Sequence, residues 1–428
     1  MMKFGRAFRR RQVRYLGLLI GLGLFLFPGT GSTSVVRTEK SSAGWKLLVD
    51  GRSFFVQGMC YYPAKVGESS SEGTLRDWMI VDDDHDGRMD SPYQSWVDKN
   101  GNNIKDKDEK EVGDFQLLKD MGCNVIRVYH HSSAKKEIQE LNTGISASLL
   151  YNHGPNKELL RDLFRTYGIR VAMGDLLGSY CVGSGADWNA GTDYSDRVQK
   201  KEMLASVADM VREFKDEPFI LMWILGNENN YSQLTHTNAA QKPEAWAKFV
   251  NEAAKLIKKM DPNHPVCLAN GETQLIKIYA RFSPDVDIFG LNSYRSQGFG
   301  GLWEDLSRIY DKPVLLTEFG VGYPRIRKGI LNETHQSRIH QAAFCDMLKH
   351  AAGMEAPGNA IGGFVYEFLD NWWQNGDPEA PNLSETGWNN EITGMAGQGD
   401  GKNSPFLRQL RQVYFMYKSL WTGEGKCE

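Results

Sequence analysis

Two short runs carry a glutamate at the end of an apolar stretch: Phe219-Ile-Leu-Met-Trp-Ile-Leu-Gly-Asn-Glu228 and Pro313-Val-Leu-Leu-Thr-Glu318. An uninterrupted apolar run of strand length reads as a strand buried on both faces. Each carboxylate would then sit on a rigid element at the lip of a core. Two carboxylates facing one cleft suit glycosidic cleavage, in which one protonates the leaving oxygen while the other attacks the anomeric carbon or activates water. They can face each other only if both strands are parallel members of one sheet.

The rest of the chain supplies such a sheet. Strand candidates run over Phe54–Met59, Asn124–Tyr129, Arg170–Met173, Ile220–Leu225, Val266–Leu268, Ile288–Leu291, Val314–Thr317 and Gly363–Tyr366. Helical patterns alternate with them, and the clearest is Met203, Leu204, Val207, Met210, Val211 and Phe214, the spacing of one buried face. Further helices are expected over 156–167, 246–260, 301–310, 333–350 and 405–420. This alternation predicts an α/β fold, a closed (β/α)8 TIM barrel with its working residues where strands end. An open doubly wound sheet is the alternative, and no glycine-rich phosphate loop follows the first strand. The strand ends collect Arg127, Tyr129, His130 and His131, then Asp175, Asn227 and Glu228, then Asn292 and Tyr294, Glu318, and finally Glu367, Asp370, Asn371, Trp372 and Trp373. Amides and an arginine can hold hydroxyls, and indoles can stack on sugar faces. Adjacent His130 and His131 point opposite ways in a strand, so at most one faces the cleft.

The ordered set Asn124-Val-Ile-Arg127-Val-Tyr-His130, Trp223-Ile-Leu-Gly-Asn227-Glu228, Asp287-Ile-Phe-Gly-Leu-Asn292-Ser-Tyr294, Leu316-Thr-Glu318-Phe-Gly and Gly363-Phe-Val-Tyr-Glu-Phe resembles the catalytic barrel of clan A glycoside hydrolases. Its pattern is nearest to family 2, which includes β-galactosidases, β-glucuronidases and β-mannosidases. The resemblance implies a retaining β-glycoside hydrolase acting on a β-linked oligo- or polysaccharide, with Glu228 as acid/base and Glu318 as nucleophile. It further implies that Asn227 holds the 2-hydroxyl of the reacting sugar and that Tyr294 sits against the nucleophile. The expected substrate contacts are Arg127, His130, Asn227, Asn292, Tyr294, Trp372 and Trp373. Two departures stand out: Asn229 replaces a proline common in relatives, and the β-sandwich domains that usually precede such barrels are not evident. A transglycosylase on the same barrel uses the same two glutamates, and an inactive carbohydrate-binding surface protein would keep the fold alone.

Residues 79–111, after the first strand, form an Asp/Asn-rich insertion. Calcium loops need oxygen ligands at alternating positions around a tight turn, closed by an acid. Asp82, Asp84, Asp86 and Asp90 fit with Gly87 at the turn, although Tyr93 stands at the closing position. Asp98, Asn100, Asn102, Asp106 and Glu109 fit the full spacing, with Asn103 at the turn. Structural Ca2+ is therefore expected here, with no cofactor for the chemistry. A second excursion, the long loop after strand eight from Trp373 to Pro405, includes Trp388.

Residues 1–34 read as a signal peptide or, left uncleaved, an N-terminal anchor: six basic residues by Arg14, then an apolar run to Phe27 and small residues. One catalytic domain is expected over 45–424, exported as a secreted, periplasmic or cell-surface protein. Loss of the six positive charges would take the formal charge from -3 to -9. Such an acidic chain is a poor partner for nucleic acid or anionic membrane, which leaves carbohydrate as the expected partner and the membrane only through an uncleaved leader. The six cysteines lack a CxxC pair and read mainly as small buried hydrophobes, with export permitting one oxidised pair.

Overall fold

The apolar runs become strands whose every residue is buried, as in Ile220–Leu225 and Val314–Phe319. In the computed structural model, which describes residues 34–70, 72–131, 156–320, 332–374, 377–381 and 391–427, eight strands close into one parallel barrel. The chain begins with β1 (Val36–Ser41), β2 (Gly44–Val49) and β3 (Arg52–Phe54), a small antiparallel sheet. Barrel strands follow as β4 (Val56–Cys60), β6 (Val125–Val128), β7 (Arg170–Asp175), β8 (Ile220–Leu225), β9 (Val266–Gly271), β10 (Ile288–Ser293), β11 (Val314–Phe319) and β12 (Ala360–Val365). β12 pairs in parallel with β4, so the sheet has no free edge.

A helix follows each barrel strand: α1 (Asp114–Met121), α2 (Lys157–Tyr167), α3 (Arg197–Phe214), α4 (Pro243–Met260), α5 (Ile276–Phe282), α6 (Leu302–Ile309), α7 (Glu333–Lys349) and α8 (Gln412–Trp421). Met203, Val207, Met210, Val211 and Phe214 of α3 are the face turned to the sheet, and the Asp196 side chain caps that helix by accepting the N–H groups of Val198 and Gln199. Apolar side chains inside the barrel, among them Val56, Val125, Met222, Ile288 and Leu315, form one core with Val36, Leu47 and Val49 of the small sheet. That sheet closes the bottom of the barrel, where Val36 N–H donates to Asn263 O and Trp45 N–H to Gly358 O. Gly44, at φ 116°, is required there, since a Cβ would lie 2.0 Å from Gly358 O.

The predicted closed barrel is present, with three local corrections. β1 carries exposed charged residues (Arg37, Glu39, Lys40) and no apolar alternation, so the sequence pattern passed over it. The first barrel strand starts at Val56, because Arg52–Phe54 pairs with β2 instead. The last helix begins at Gln412 rather than Pro405, since Leu407–Leu410 forms β14, which pairs with β5 (Trp96–Val97) of the insertion and with β13 (Ala396–Gly397). Buried Arg408 fixes that segment, its guanidinium donating to both oxygens of buried Asp114 at 2.8 Å.

Cys345 and Cys427 form a disulfide, while Cys60, Cys123, Cys181 and Cys267 are free and buried. Among the described residues no helix is long and apolar enough to cross a membrane. The expected leader lies outside them but for Ser34, and so does Trp388.

Candidate active site

The strands deliver Glu228, past the end of β8, and Glu318, near the end of β11, to one cavity of about 890 Å³. Arg127, Tyr129, Asn227, Asn292, Tyr294 and Trp373 line the same cavity. Arg127 and Tyr129 lie two residues apart on β6 and its extension, hence on one face. Arg127 is 1% exposed, and its two terminal nitrogens split their duty: Nη1 donates to Glu318 Oε1 at 3.0 Å and Nη2 to Asn227 Oδ1 at 2.9 Å. Tyr129 Oη donates to the same Glu318 oxygen at 2.7 Å, and the Arg127 guanidinium lies 4.1 Å from the Tyr129 ring centre. Tyr294 Oη donates to the other oxygen, Oε2. Burial, together with the nearby Glu318 charge, pushes both phenols well above their ordinary range, so they remain donors.

Glu228 is set differently. Burial pushes its carboxyl up to about 8, the negative charge of Glu318 adds to the rise, and a hydrogen bond from Asn292 opposes it. The cavity therefore holds Glu318, encircled by three donors, and Glu228, whose carboxyl is raised by burial and by its neighbour's charge. Two carboxyls in surroundings this different can take different parts, one attacking while the other donates.

Local backbone places Glu228. Gly226 and Glu228 both take left-handed φ, 74° and 55°. A Cβ on Gly226 would lie 2.4 Å from Asn229 Oδ1, the oxygen that accepts Asn227 N–H at 2.9 Å. Asn229 Nδ2 in turn meets Leu176 O at 3.1 Å and Tyr194 Oη at 2.7 Å. The residue standing where relatives carry proline thus ties the loop after β8 to the loop after β7. Asn292 Nδ2 donates to Asn227 Oδ1 at 3.1 Å and its Oδ1 accepts Thr317 Oγ1 at 2.7 Å, so the amides of the rim form one network.

Two expected substrate contacts fall outside the cavity. His130 is buried on the opposite face of the β6 extension, where its Nδ1 accepts Leu176 N–H at 3.2 Å. Trp372 is buried against Gly401, whose Cβ would meet its ring at 3.0 Å, and only the neighbouring Trp373 reaches the cleft. His131 packs edge-on against Phe214, and Asp175 accepts Ser206 Oγ at 2.6 Å, so both serve the barrel wall. Lining residues that the strand-end survey passed over include Tyr62, Trp78, Tyr180, Tyr231 and Glu272. All sit on loops beyond the strands, where no periodic pattern marks them.

In the insertion, Asp82, Asp84 and Asp86 each offer an oxygen within 4.8 Å of the others. Asp90 turns instead to Asp83, accepting its N–H on both oxygens at 3.1 Å. In the second run no three acidic side chains converge in this way among the described residues. Asp98 accepts the N–H groups of Gly101 and Asn103, Glu109 those of Lys99 and Asp106, and the side-chain amides of Asn100 and Asn102 both donate to Asp106 Oδ2.

The sequence model described as glycosyl hydrolases family 2, TIM barrel domain, matches residues 136–352, just over half of the chain. The β-glucuronidase of Chlorocebus aethiops is 23% identical over 244 residues, covering 53% of this chain and 31% of the relative. The human β-glucuronidase is 23% identical over 221 residues, 49% of this chain and 27% of the relative. The chain thus matches about a third or less of the length of these curated relatives. Among solved structures, a β-D-glucuronidase from Dictyoglomus thermophilum superposes with a TM-score of 0.53 at 18% identity, covering 91% of this chain and 53% of the other. A β-galacturonidase from Eisenbergiella tayi bound to galacturonate gives 0.52 at 16% identity, covering 92% and 55%. At those identities the superpositions speak to the fold alone.

Proposed function

The chain belongs to glycosyl hydrolase family 2, and from that premise we propose that it is a retaining β-glycoside hydrolase working by double displacement on a β-linked oligo- or polysaccharide. The observation that carries this reading is the asymmetry of the two carboxyls' surroundings: burial pushes the Glu228 carboxyl up, and Glu318 is clamped by Arg127, Tyr129 and Tyr294. In the first step Glu318 Oε attacks the anomeric carbon. The C–O bond to the leaving group breaks, and that oxygen takes the Glu228 proton. In the second step Glu228, now a carboxylate, removes a proton from water, whose oxygen displaces Glu318 and restores both groups. Arg127 supplies the charge that faces Glu318 before attack, Tyr294 hydrogen-bonds its other oxygen, and Asn227 would hold the 2-hydroxyl. The proposed steps call on no metal ion.

The relatives are named β-glucuronidases and a β-galacturonidase, so β-linked uronides head the substrate screen, beside gluco-, galacto- and manno-configured β-glycosides. Of the cations lining the cavity among the described residues, Arg127 is paired with Glu318 and Arg76 with Glu68 and Asp83, so a uronate carboxylate would compete with those acids. A cavity of about 890 Å³ lies near the upper end of small-molecule sites. It therefore has room for a sugar acceptor, and product chains longer than the input would identify a transglycosylase. The decisive test labels the enzyme with a 2-deoxy-2-fluoro-β-glycoside of the sugar that the screen selects, followed by peptide mass spectrometry. Modification of Glu318, and its loss together with all turnover in Glu318→Ala at unchanged circular dichroism, is the expected result. Label on another residue, or full activity in that variant, rejects the assignment.

A further inference from the structure

The three converging carboxylates of the insertion have no ion-pair partner among the described residues, although Asp83, between two of them, pairs with Lys65 and Arg76. An acidic cluster of this kind is common without a metal. What sets this one apart is Gln94. Its side chain is buried, 5% exposed, and its amide rests on the cluster, with Nε2 2.9 Å from Asp84 Oδ2 and 3.1 Å from Asp86 Oδ2. The amide oxygen, Oε1, is buried with no hydrogen-bond partner. Buried carbonyl oxygens are rarely left so; a half-turn of the amide would present Oε1 to the carboxylates, a contact between acceptors that is favourable only with a cation between them.

The register explains why Gln94, one position later than the spacing demands, arrives there. Residues 90–94 form a π-helical turn, which accommodates one more residue than an α-turn. Tyr93, at the closing position by count, is carried away: its hydroxyl donates to Asp162 Oδ2 at 2.6 Å and its ring packs on Phe115. Four oxygens from short side chains, three of them anionic, around a flexible turn suit Ca2+ better than Mg2+, which demands a near-ideal octahedron.

We propose that Asp82, Asp84, Asp86 and Gln94 bind Ca2+, with Gln94 as the closing ligand, and that the bound ion fixes the cleft wall formed by Arg76 and Trp78. The mechanical link is Asp83. Its backbone lies between two ligands, its N–H is held by Asp90, and its carboxylate pairs with Arg76 Nη1 and Lys65 Nζ, each at 2.6 Å. Arg76, Asp77 and Trp78 line the cavity. Only an effect of the ion on turnover rests on the glycosidase reading; the site and the ordering of the wall do not.

The test is calorimetric titration of the chelator-stripped full-length protein with CaCl2, with circular dichroism as a folding control. Asp84→Asn/Asp86→Asn should abolish one binding event, and Gln94→Leu should weaken it about tenfold or more. Gln94→Glu, which restores an anionic closing ligand, should tighten it, and Tyr93→Phe should leave it unchanged. Hydrogen exchange at residues 75–79 should slow when calcium is added, without substrate present. No binding by the wild type, or wild-type affinity in Gln94→Leu, overturns the site. Unchanged exchange at 75–79 overturns the coupling. Both measurements are blind to turnover, so an ion-binding protein that cleaves no β-glycoside would refute the proposed function and leave this inference standing.

Discussion

Replacing Glu228 by alanine should remove the alkaline limb of the pH–rate profile and make the loss of rate depend on the leaving group. With its carboxyl pushed up to about 8, Glu228 is roughly 90% protonated at pH 7, against roughly 0.3% for an ordinary glutamate, a factor of about 300. The wild-type kcat/KM for a glycoside with a poor leaving group, such as an alkyl alcohol, should therefore fall tenfold per pH unit above about pH 8. General acid catalysis contributes about 10²–10⁴-fold, so Glu228→Ala should lose about that much, roughly 3–5 kcal/mol of barrier, on the alkyl substrate. On a dinitrophenyl glycoside, whose leaving group departs without a proton, kcat/KM should change little, and the defect should move to kcat through slow release of the glycosyl-enzyme. Azide, which needs no base, should restore kcat and yield the β-glycosyl azide. Because the Asn292 hydrogen bond holds the Glu228 carboxyl down, Asn292→Leu should move the alkaline limb to higher pH. The assay is kcat and kcat/KM from pH 5 to 10 on both substrates. An alkaline limb that persists in Glu228→Ala, or an equal loss of kcat/KM on both substrates, would refute the reasoning.

Three further outcomes follow from groups away from the proton transfer. Glu367 is fully buried behind the site and its carboxyl is pushed up to about 8 by that burial. The native state then holds its proton where the unfolded chain releases it, so stability is complete below about pH 4.5 and declines as pH rises towards 8, by on the order of 5 kcal/mol; urea melts should show Glu367→Gln flattening that decline. Cys427→Ser, or reduction, opens a loop of 82 residues and should cost about 2–5 kcal/mol in the same melts, with no loss if the pair is already reduced in the purified protein. Arg408→Met leaves Asp114 buried without its cation and should cost about 3–5 kcal/mol, while Arg408→Met/Asp114→Leu should recover most of it; failure to recover would mean that Ser91 and Ser95, not charge, set the cost.

The barrel was legible because its strands are buried on both faces, which forces uninterrupted apolar runs, and because its helices bury one face, which forces the 3.6 period. Glu228, Glu318, Asn227, Asn292 and Tyr294 were legible for a related reason: each sits where such a run stops. The alternation of faces sets Arg127 and Tyr129 together and His130 opposite them, so the expectation of His130 as a substrate contact beside Arg127 ran against the pleat. β1 was illegible because it shows charge to solvent and only Val36 to the core. The loop residues Tyr62, Tyr180 and Glu272 carry no period at all.

What the sequence determined by itself is the set of strand ends and the oxygen spacing of the insertion, since both are local patterns of burial and turn chemistry. Only the tertiary structure decided how those residues differ from one another. Burial and the neighbouring charge raise the Glu228 carboxyl, while three donors from two other strands gather on Glu318. One extra residue in a turn puts Gln94, not Tyr93, against the aspartates. Desolvation, charge pairing and register across distant segments are properties of the packed chain, and no window of sequence contains them.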